Sequence, residues 1–375
     1  MEVENQFCNS IGEFAFSLSQ QLSSQQNLIF SPCSIYISLA LIAYGSNDKT
    51  LKEFQEVLKF KSKNQLLDTI HKAQQILIDE KKTNVKIANN VLLGISDIIP
   101  EYQKFISQVK NCQVESVDFK QNNNLIIAKI NKQISDLTNN KIQNILTQDS
   151  FDNDAKMILI NAIYFKGTWN KQFEESQTKK QKFYTNDNKS KLVKMMNMTN
   201  KFYYHESESY QFISIPYKNY DYCLTIFLPT DKNILDFEKC FTHSSFTEAF
   251  NSSIQTKVNL TLPKFKINGD QTNLNQALQA LGLNDCFTTN ADFRDIQLQN
   301  QIMLSQVTHL AKIEIDEQGT EAAAATTIVM RKKSKISKEQ EEIVMTCDRP
   351  FMYALIHSPS QLILFMGKLQ KPFQD

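Results

Sequence analysis

Glycine is the scarcest of the small residues here: only 8 occur in 375 residues, where an average composition of about 7 % would give roughly 26. The two nearest to each other, Gly269 and Gly282, stand 13 positions apart. No G-x-G-x-x-G dinucleotide turn, no P-loop and no G-x-S-x-G nucleophile elbow fits that spacing. Charge of one sign is equally absent. Lys+Arg 41 against Asp+Glu 40 leaves a net charge of +1, so no general attraction to nucleic acid or anionic lipid is predicted. Histidine numbers 5, and His71, His205, His243, His309 and His357 occupy no metal-ligand spacing. Asp152-Asn153-Asp154 lacks the glycine and closing glutamate of a calcium loop. No metal, no cofactor and no enzymatic activity are predicted from these motifs.

The seven cysteines (Cys8, Cys33, Cys112, Cys223, Cys240, Cys286, Cys347) are odd in number and scattered without a C-x-x-C pair. That pattern predicts reduced, buried thiols. The segment MEVENQFCNS has neither a basic n-region nor an apolar h-region, which predicts a cytoplasmic location. Secretion through an uncleaved internal signal within Leu28–Gly45 and a nuclear location are the alternatives. The uncharged stretch from Leu28 to Ser46 approaches the length of a membrane span, yet Ser31, Pro32, Ser34 and Ser38 within it predict a core helix instead, and no membrane partner. The sequons at Asn188, Asn197, Asn251 and Asn259 are chance matches in an Asn-rich chain.

What is plentiful is apolar residue, 41 % with 25 Phe, enough for a large packed core. No Pro/Gly/Ser-rich linker divides it, which predicts one domain over residues 1–375. Phe7, Ile11, Phe14, Leu18 and Leu22 recur at helical spacing. Ser31 as N-cap with Pro32 behind it opens a second helix to about Ala43. Thr50 and Glu53 form a T-x-x-E capping box for a third, and Leu66–Leu77, Tyr102–Val109, Ile126–Leu137 and Leu274–Leu281 follow the same period. Strand patterns cover Val85–Leu93, Met157–Phe165, Phe212–Pro216, Tyr222–Leu228, Val258–Leu262, Ala311–Ile315, Phe351–Ile356 and Leu362–Leu369. Met157–Phe165 is almost wholly apolar, as a strand buried on both faces must be. Helices first and strands later give an α+β class.

One segment has an unusual pattern. After Ala311–Ile315 come Asp316-Glu317-Gln318-Gly319, and then Thr320-Glu321-Ala322-Ala323-Ala324-Ala325-Thr326-Thr327. At period two, Thr320, Ala322, Ala324 and Thr326 form a small, uncharged face while Glu321 points the other way. Such a strand can enter a sheet with one face buried. An Ala-rich run is also a good helix, but Arg331-Lys332-Lys333-Ser334-Lys335 follows. A cation in an exposed, extended loop matches the specificity pocket of a trypsin-like serine protease; alone, the basic run also fits a solvated loop or a nuclear-localisation patch.

At this point the chain resembles the serpins over nearly its whole length. The resemblance rests on Glu317-x-Gly-Thr-Glu-Ala-Ala-Ala-Ala-Thr326, Asn27-Leu-Ile-Phe-Ser-Pro-Cys-Ser-Ile35, Leu159-Ile-Asn-Ala-Ile-Tyr-Phe-Lys-Gly-Thr-Trp169, Leu262-Pro-Lys-Phe265, Pro350-Phe351 and Phe365-Met-Gly-Lys368. It implies a serpin fold of three β-sheets and eight to nine helices, with an exposed reactive-centre loop over about 317–349. It implies that Glu317, Gly319, Thr320, Glu321, Ala322, Ala323, Ala324, Ala325 and Thr326 are a hinge. Ser31, Ser34, Asn161 and His309 then belong to the shutter, the cluster that controls opening of the central sheet, and Trp169 belongs to the breach where the loop first enters. Hinge spacing puts the reactive bond at Lys333-Ser334, with Arg331, Lys332 and Lys335 as the other basic candidates. The implied activity is suicide-substrate inhibition of a trypsin-like serine protease in a covalent 1:1 complex, by a monomer. A cysteine protease target and a non-inhibitory binding or chaperone-like role are the alternatives.

Overall fold

The apolar run Met157–Phe165 is a strand in which all nine residues are buried. It pairs antiparallel with Val85–Leu93 on one side and parallel with Leu304–Ile315 on the other. The computed structural model describes residues 2–372 apart from 23–25, 78–84, 121–122, 151–153, 188, 219, 232, 270–271, 300–301 and 321–341. These three strands are the middle of an eight-stranded sheet. Cys112–Ser116 flanks one edge, while Phe265–Asn268 and Thr272–Asn273 run along the far side of Leu304–Ile315. Period-two alternation splits the central strand between two apolar layers. Ile158, Ile160 and Ala162 pack with Ile126, Ile130 and Ile134 of the helix Asn123–Leu137. Leu159 and Ile163 face the main core, and Asn161 shares their side.

That main core contains the helix Pro32–Tyr44, buried at every residue but the last. Ser31 caps it, its hydroxyl accepting from the Ser34 N–H, and Pro32 takes the first turn, where a missing N–H costs nothing. The uncharged stretch is therefore a core helix, and no described helix is long and apolar enough to cross a membrane. The capping box at Thr50 and Glu53 is not formed. Asn47 precedes the helix Asp48–Leu58, which places Thr50 one turn inside. Its hydroxyl instead donates to Asp285, and Glu53 accepts from the backbone N–H groups of Asn284 and Asp285. Both side chains are spent docking a distant loop.

A second, nine-stranded network is continuous through one 17-residue strand, Ser190–Glu206. Its first residues pair with Lys179–Tyr184 and its last with Tyr210–Pro216, while Ile254–Pro263 runs along the opposite edge. Two sheets thus share one strand, which with the eight-stranded sheet makes the three that were expected. Nine α-helices occur among the described residues. The segment after the loop is strand sooner than expected: Ile343–Thr346 already pairs parallel with Val258–Thr261, so the span 317–349 is not loop throughout. Five of the cysteines are buried, but Cys112 is half-buried and Cys240 is exposed, which corrects the reading of all seven as core thiols.

Candidate functional site

Two neighbouring strands of the central sheet run parallel and stay paired as far as Tyr164 and Lys312. Beyond that point a turned segment separates them. The chain leaves Leu304–Ile315, reverses at Asp316–Gln318, and comes back as Gly319-Thr320 between the two. Thr320 pairs with Ile315 on one side and with Gly167 on the other, and Gly319 pairs with Thr168. Asp316 closes the turn, its carboxylate accepting from the N–H groups of Gln318 at 2.8 Å and Gly319 at 3.1 Å. Gly319 has φ +150°, and a Cβ there would lie 2.0 Å from the Gly167 carbonyl oxygen. Only glycine fits this turn.

Thr320 is 0 % exposed, and its hydroxyl lies 2.6 Å from Tyr217 Oη. Trp169 stacks on the Tyr217 ring at 4.4 Å, its indole N–H donates to the Asp316 carbonyl, and its backbone N–H to that of Gln318. The Glu317 carboxylate accepts from Thr178 Oγ1 and pairs with Lys264 Nζ. Burial pushes the Glu317 carboxyl up, but the bonds from Lys264 and Thr178 outweigh it, and the net shift is downward. Trp169, Glu317, Gly319 and Thr320 are thus brought together. Glu321, Ala322, Ala323, Ala324, Ala325, Thr326, Lys333 and Ser334 lie outside the described residues.

Below this turn a polar row crosses the sheet. Register places Cys112, Asn89, Asn161, His309 and Thr272 side by side on five strands. His309 Nε2 accepts from the Ser31 N–H at 3.1 Å, which leaves the ring hydrogen on Nδ1, donated to Asn161 Oδ1 at 2.5 Å. The Asn161 amide in turn donates to Ser34 Oγ and to Asn89 Oδ1, and Ser38 Oγ donates to Asn89 Oδ1 at 2.9 Å. The polarity is consistent from the helix N-terminus to the third strand. Ser31, Ser34, Asn161 and His309 are all at most 1 % exposed, and they tie the helix Pro32–Tyr44 to the two strands that the turned segment begins to part.

Sequence reasoning missed Asn89 and Ser38 in this row, and Thr178, Tyr217 and Lys264 around the turn. Asn89-Asn90 was readable, as a polar pair inside an otherwise apolar strand. Lys264 stood in a quoted motif without a role, and Tyr217 is brought near only by the fold.

Burial drives the His309 pKa from its ordinary 6.5 to about 3. A protonated ring would also aim an Nε2–H at the Ser31 N–H. Between pH 3 and 6.5 the unfolded chain therefore binds a proton that the folded one does not, so stability is full above about pH 6.5 and falls as pH drops below it. Unfolding rates measured from pH 7.5 to 5.5 are expected to rise toward acid, and the dependence to flatten in His309→Gln. Equal pH dependence in both proteins would contradict this assignment.

The chain matches the family model described as Serpin (serine protease inhibitor) over residues 9–372. The protein belongs to the serpin family, whose members are typically protease inhibitors. It is 32 % identical to human Serpin B3 over 97 % of this chain and all of the relative. It is 28 % identical to intracellular coagulation inhibitor 2 of Tachypleus tridentatus over 96 % of this chain and 90 % of that one. Among solved structures, Arabidopsis AtSerpin1 in its native stressed conformation superposes with a TM-score of 0.87 at 26 % identity, each chain covered completely.

Proposed function

We propose that this serpin is an inhibitor of trypsin-like serine proteases, acting as a single domain and as a monomer in the cytoplasm, with Lys333-Ser334 as its reactive bond. The observation that carries the reading is Thr320, already buried between two parallel strands that remain paired beneath it. A strand continuing from Thr320 runs opposite to both neighbours and pairs antiparallel with each. Thr320 to Lys333 is about 14 residues, spanning roughly 46 Å at ~3.3 Å per residue, enough to fill the gap beside the 12-residue strand Leu304–Ile315.

The chemistry belongs to the protease. Its serine oxygen attacks the Lys333 carbonyl, an ester forms, and the Ser334 amine leaves with a proton from the protease histidine. The freed strand then inserts, Thr320 leading, and carries the acylated protease to the far end of the sheet before water cleaves the ester. Ser31, Ser34, Asn161 and His309 set the barrier to parting the strands. Trp169 and Tyr217 hold the entry point, and the Glu317 ion pair fixes where the turn stands. Insertion is driven by native metastability, so barrier height is the relevant quantity.

Incubation with trypsin is expected to give a 1:1 complex that survives SDS. Cleaved inhibitor with fully active trypsin would contradict the proposal and favour a non-inhibitory role.

A further inference from the structure

Ile315 and Gly167, which flank Thr320, stand in the same relative register as the pairs below them, Lys312 with Tyr164 and His309 with Asn161. A strand continued from Thr320 therefore meets Met157–Phe165 without a shift, and that strand carries no bulge against Val85–Leu93. Counted residue by residue, Glu321 comes beside Lys166, Thr326 beside Asn161 and Lys333 beside Asp154. Opposite charges meet at the first of these positions, and a hydroxyl meets an amide at the second. Sheet geometry persists almost to the third, because the Lys156 carbonyl accepts from the Gly94 N–H at 2.8 Å. Alternation puts Lys333 on the face away from Thr320. That is the face of Ile158 and Ile160, where Phe119 and Ala155 also pack.

We propose that Asp154 receives the Lys333 side chain once the strand has inserted, and so is a positioning residue for the trapped complex. The proposal rests on the inhibitory reading. Before cleavage Asp154 pairs with Lys120 at 3.4 Å, and both side chains are exposed. A carboxylate has lone pairs for more than one cation, so it takes the lysine without being buried. Insertion also brings Arg331 beside Lys156, and like charges directly opposite across a strand pair are destabilising. Asp154, with Asp118, whose carboxylate accepts from the Lys120 N–H, then faces four cations: Lys120, Lys156, Arg331 and Lys333. A trypsin-like protease holds the same lysine against the aspartate of its specificity pocket. Drawing the lysine out costs that ion pair, which Asp154 replaces. Without the replacement the last residues of the strand fray, each adding about 3.3 Å of slack that lets the protease recover its shape. Water then adds to the Lys333 carbonyl, the serine oxygen leaves with a proton, and active protease is released.

The test is the lifetime of the complex between trypsin and the full-length protein, read as active trypsin released over time at low salt. Asp154→Asn is expected to release trypsin about threefold faster, the scale of an exposed ion pair. Asp154→Lys adds a fifth cation and should release it about tenfold faster or more. Both differences should shrink at 1 M NaCl, where exposed charges are screened. The uncleaved variants should keep the parental thermal midpoint, because the side chain lies at the surface. Lys120→Gln removes the present partner and should leave the lifetime no shorter than the parent's. Lys333→Phe redirects the loop to chymotrypsin, and in that background Asp154→Asn should lose its effect. Parental release rates in both Asp154 variants overturn the proposal and leave the inhibitory reading standing. A lifetime shortened by Lys120→Gln, or an undiminished Asp154→Asn effect in the Lys333→Phe background, overturns it in favour of a structural Lys120–Asp154 pair. Failure of the parent to form an SDS-stable complex overturns the inhibitory reading, and this proposal with it.

Discussion

Thr320→Arg is expected to leave the loop cleavable by trypsin while abolishing the SDS-stable complex. The Thr320 side chain is fully buried, against Tyr217 and next to the Trp169 stack. An arginine there must either lose its hydration, at a cost of several kcal/mol, or hold the segment out of the sheet. In the proposed mechanism insertion competes in time with hydrolysis of the acyl-enzyme, and a barrier raised by about 3 kcal/mol slows it more than 100-fold. Nearly every encounter should then end in cleaved inhibitor and released protease, and the number of inhibitor molecules consumed per protease should rise beyond about ten. Thr320→Ser keeps the hydroxyl for Tyr217 and should trap like the parent. Trapping by Thr320→Arg at the parental ratio would mean that this residue does not lead the insertion.

The second large effect is expected at Asn161. It accepts from His309 and donates to Ser34 and Asn89, so Asn161→Leu keeps much of the volume and strands up to three buried polar groups. Each unsatisfied group costs about 1–3 kcal/mol, against a total stability for ordinary domains of about 5–15 kcal/mol. The thermal midpoint should fall by several degrees and unfolding in denaturant should accelerate at least tenfold. Inhibitory activity should decay on storage as the strands part without a protease. Parental unfolding kinetics in Asn161→Leu would reduce the row to inert filling.

Apolar continuity made the central framework legible. Met157–Phe165, Val85–Leu93 and Leu362–Leu369 are found residue for residue where their predominantly apolar segments place them. Leu304–Ile315 was visible only in its second half. Ser305, Gln306, Thr308 and His309 break the pattern with polar contacts of their own: Ser305 Oγ accepts from the Lys156 N–H, Gln306 donates to Thr308 Oγ1, and His309 belongs to the polar row. The strands Lys179–Tyr184 and Ser190–Glu206 escaped notice because lysine holds most of their exposed positions, so their apolar residues form no continuous run. Helices Ile234–Cys240 and His243–Ser252 are short and carry a weak periodic signal.

At the site, sequence could supply the residue types and not the partners. The Ala-rich run after Thr320 suggested a segment able to enter a sheet, and the resemblance named its companions, but the fold alone sets Tyr217 against Thr320 and Lys264 against Glu317. Gly319 links the two levels. In a chain that uses glycine sparingly, it stands at the one turn where a side chain would meet the Gly167 carbonyl.

In the proposed mechanism, cleavage at Lys333-Ser334 is coupled to insertion led by Thr320. Mass spectrometry of the peptide released as the trypsin complex forms tests it most directly. A fragment beginning at Ser334 is expected, appearing in step with the covalent complex. A fragment beginning elsewhere, or the Ser334 fragment accumulating with no covalent complex, would contradict it.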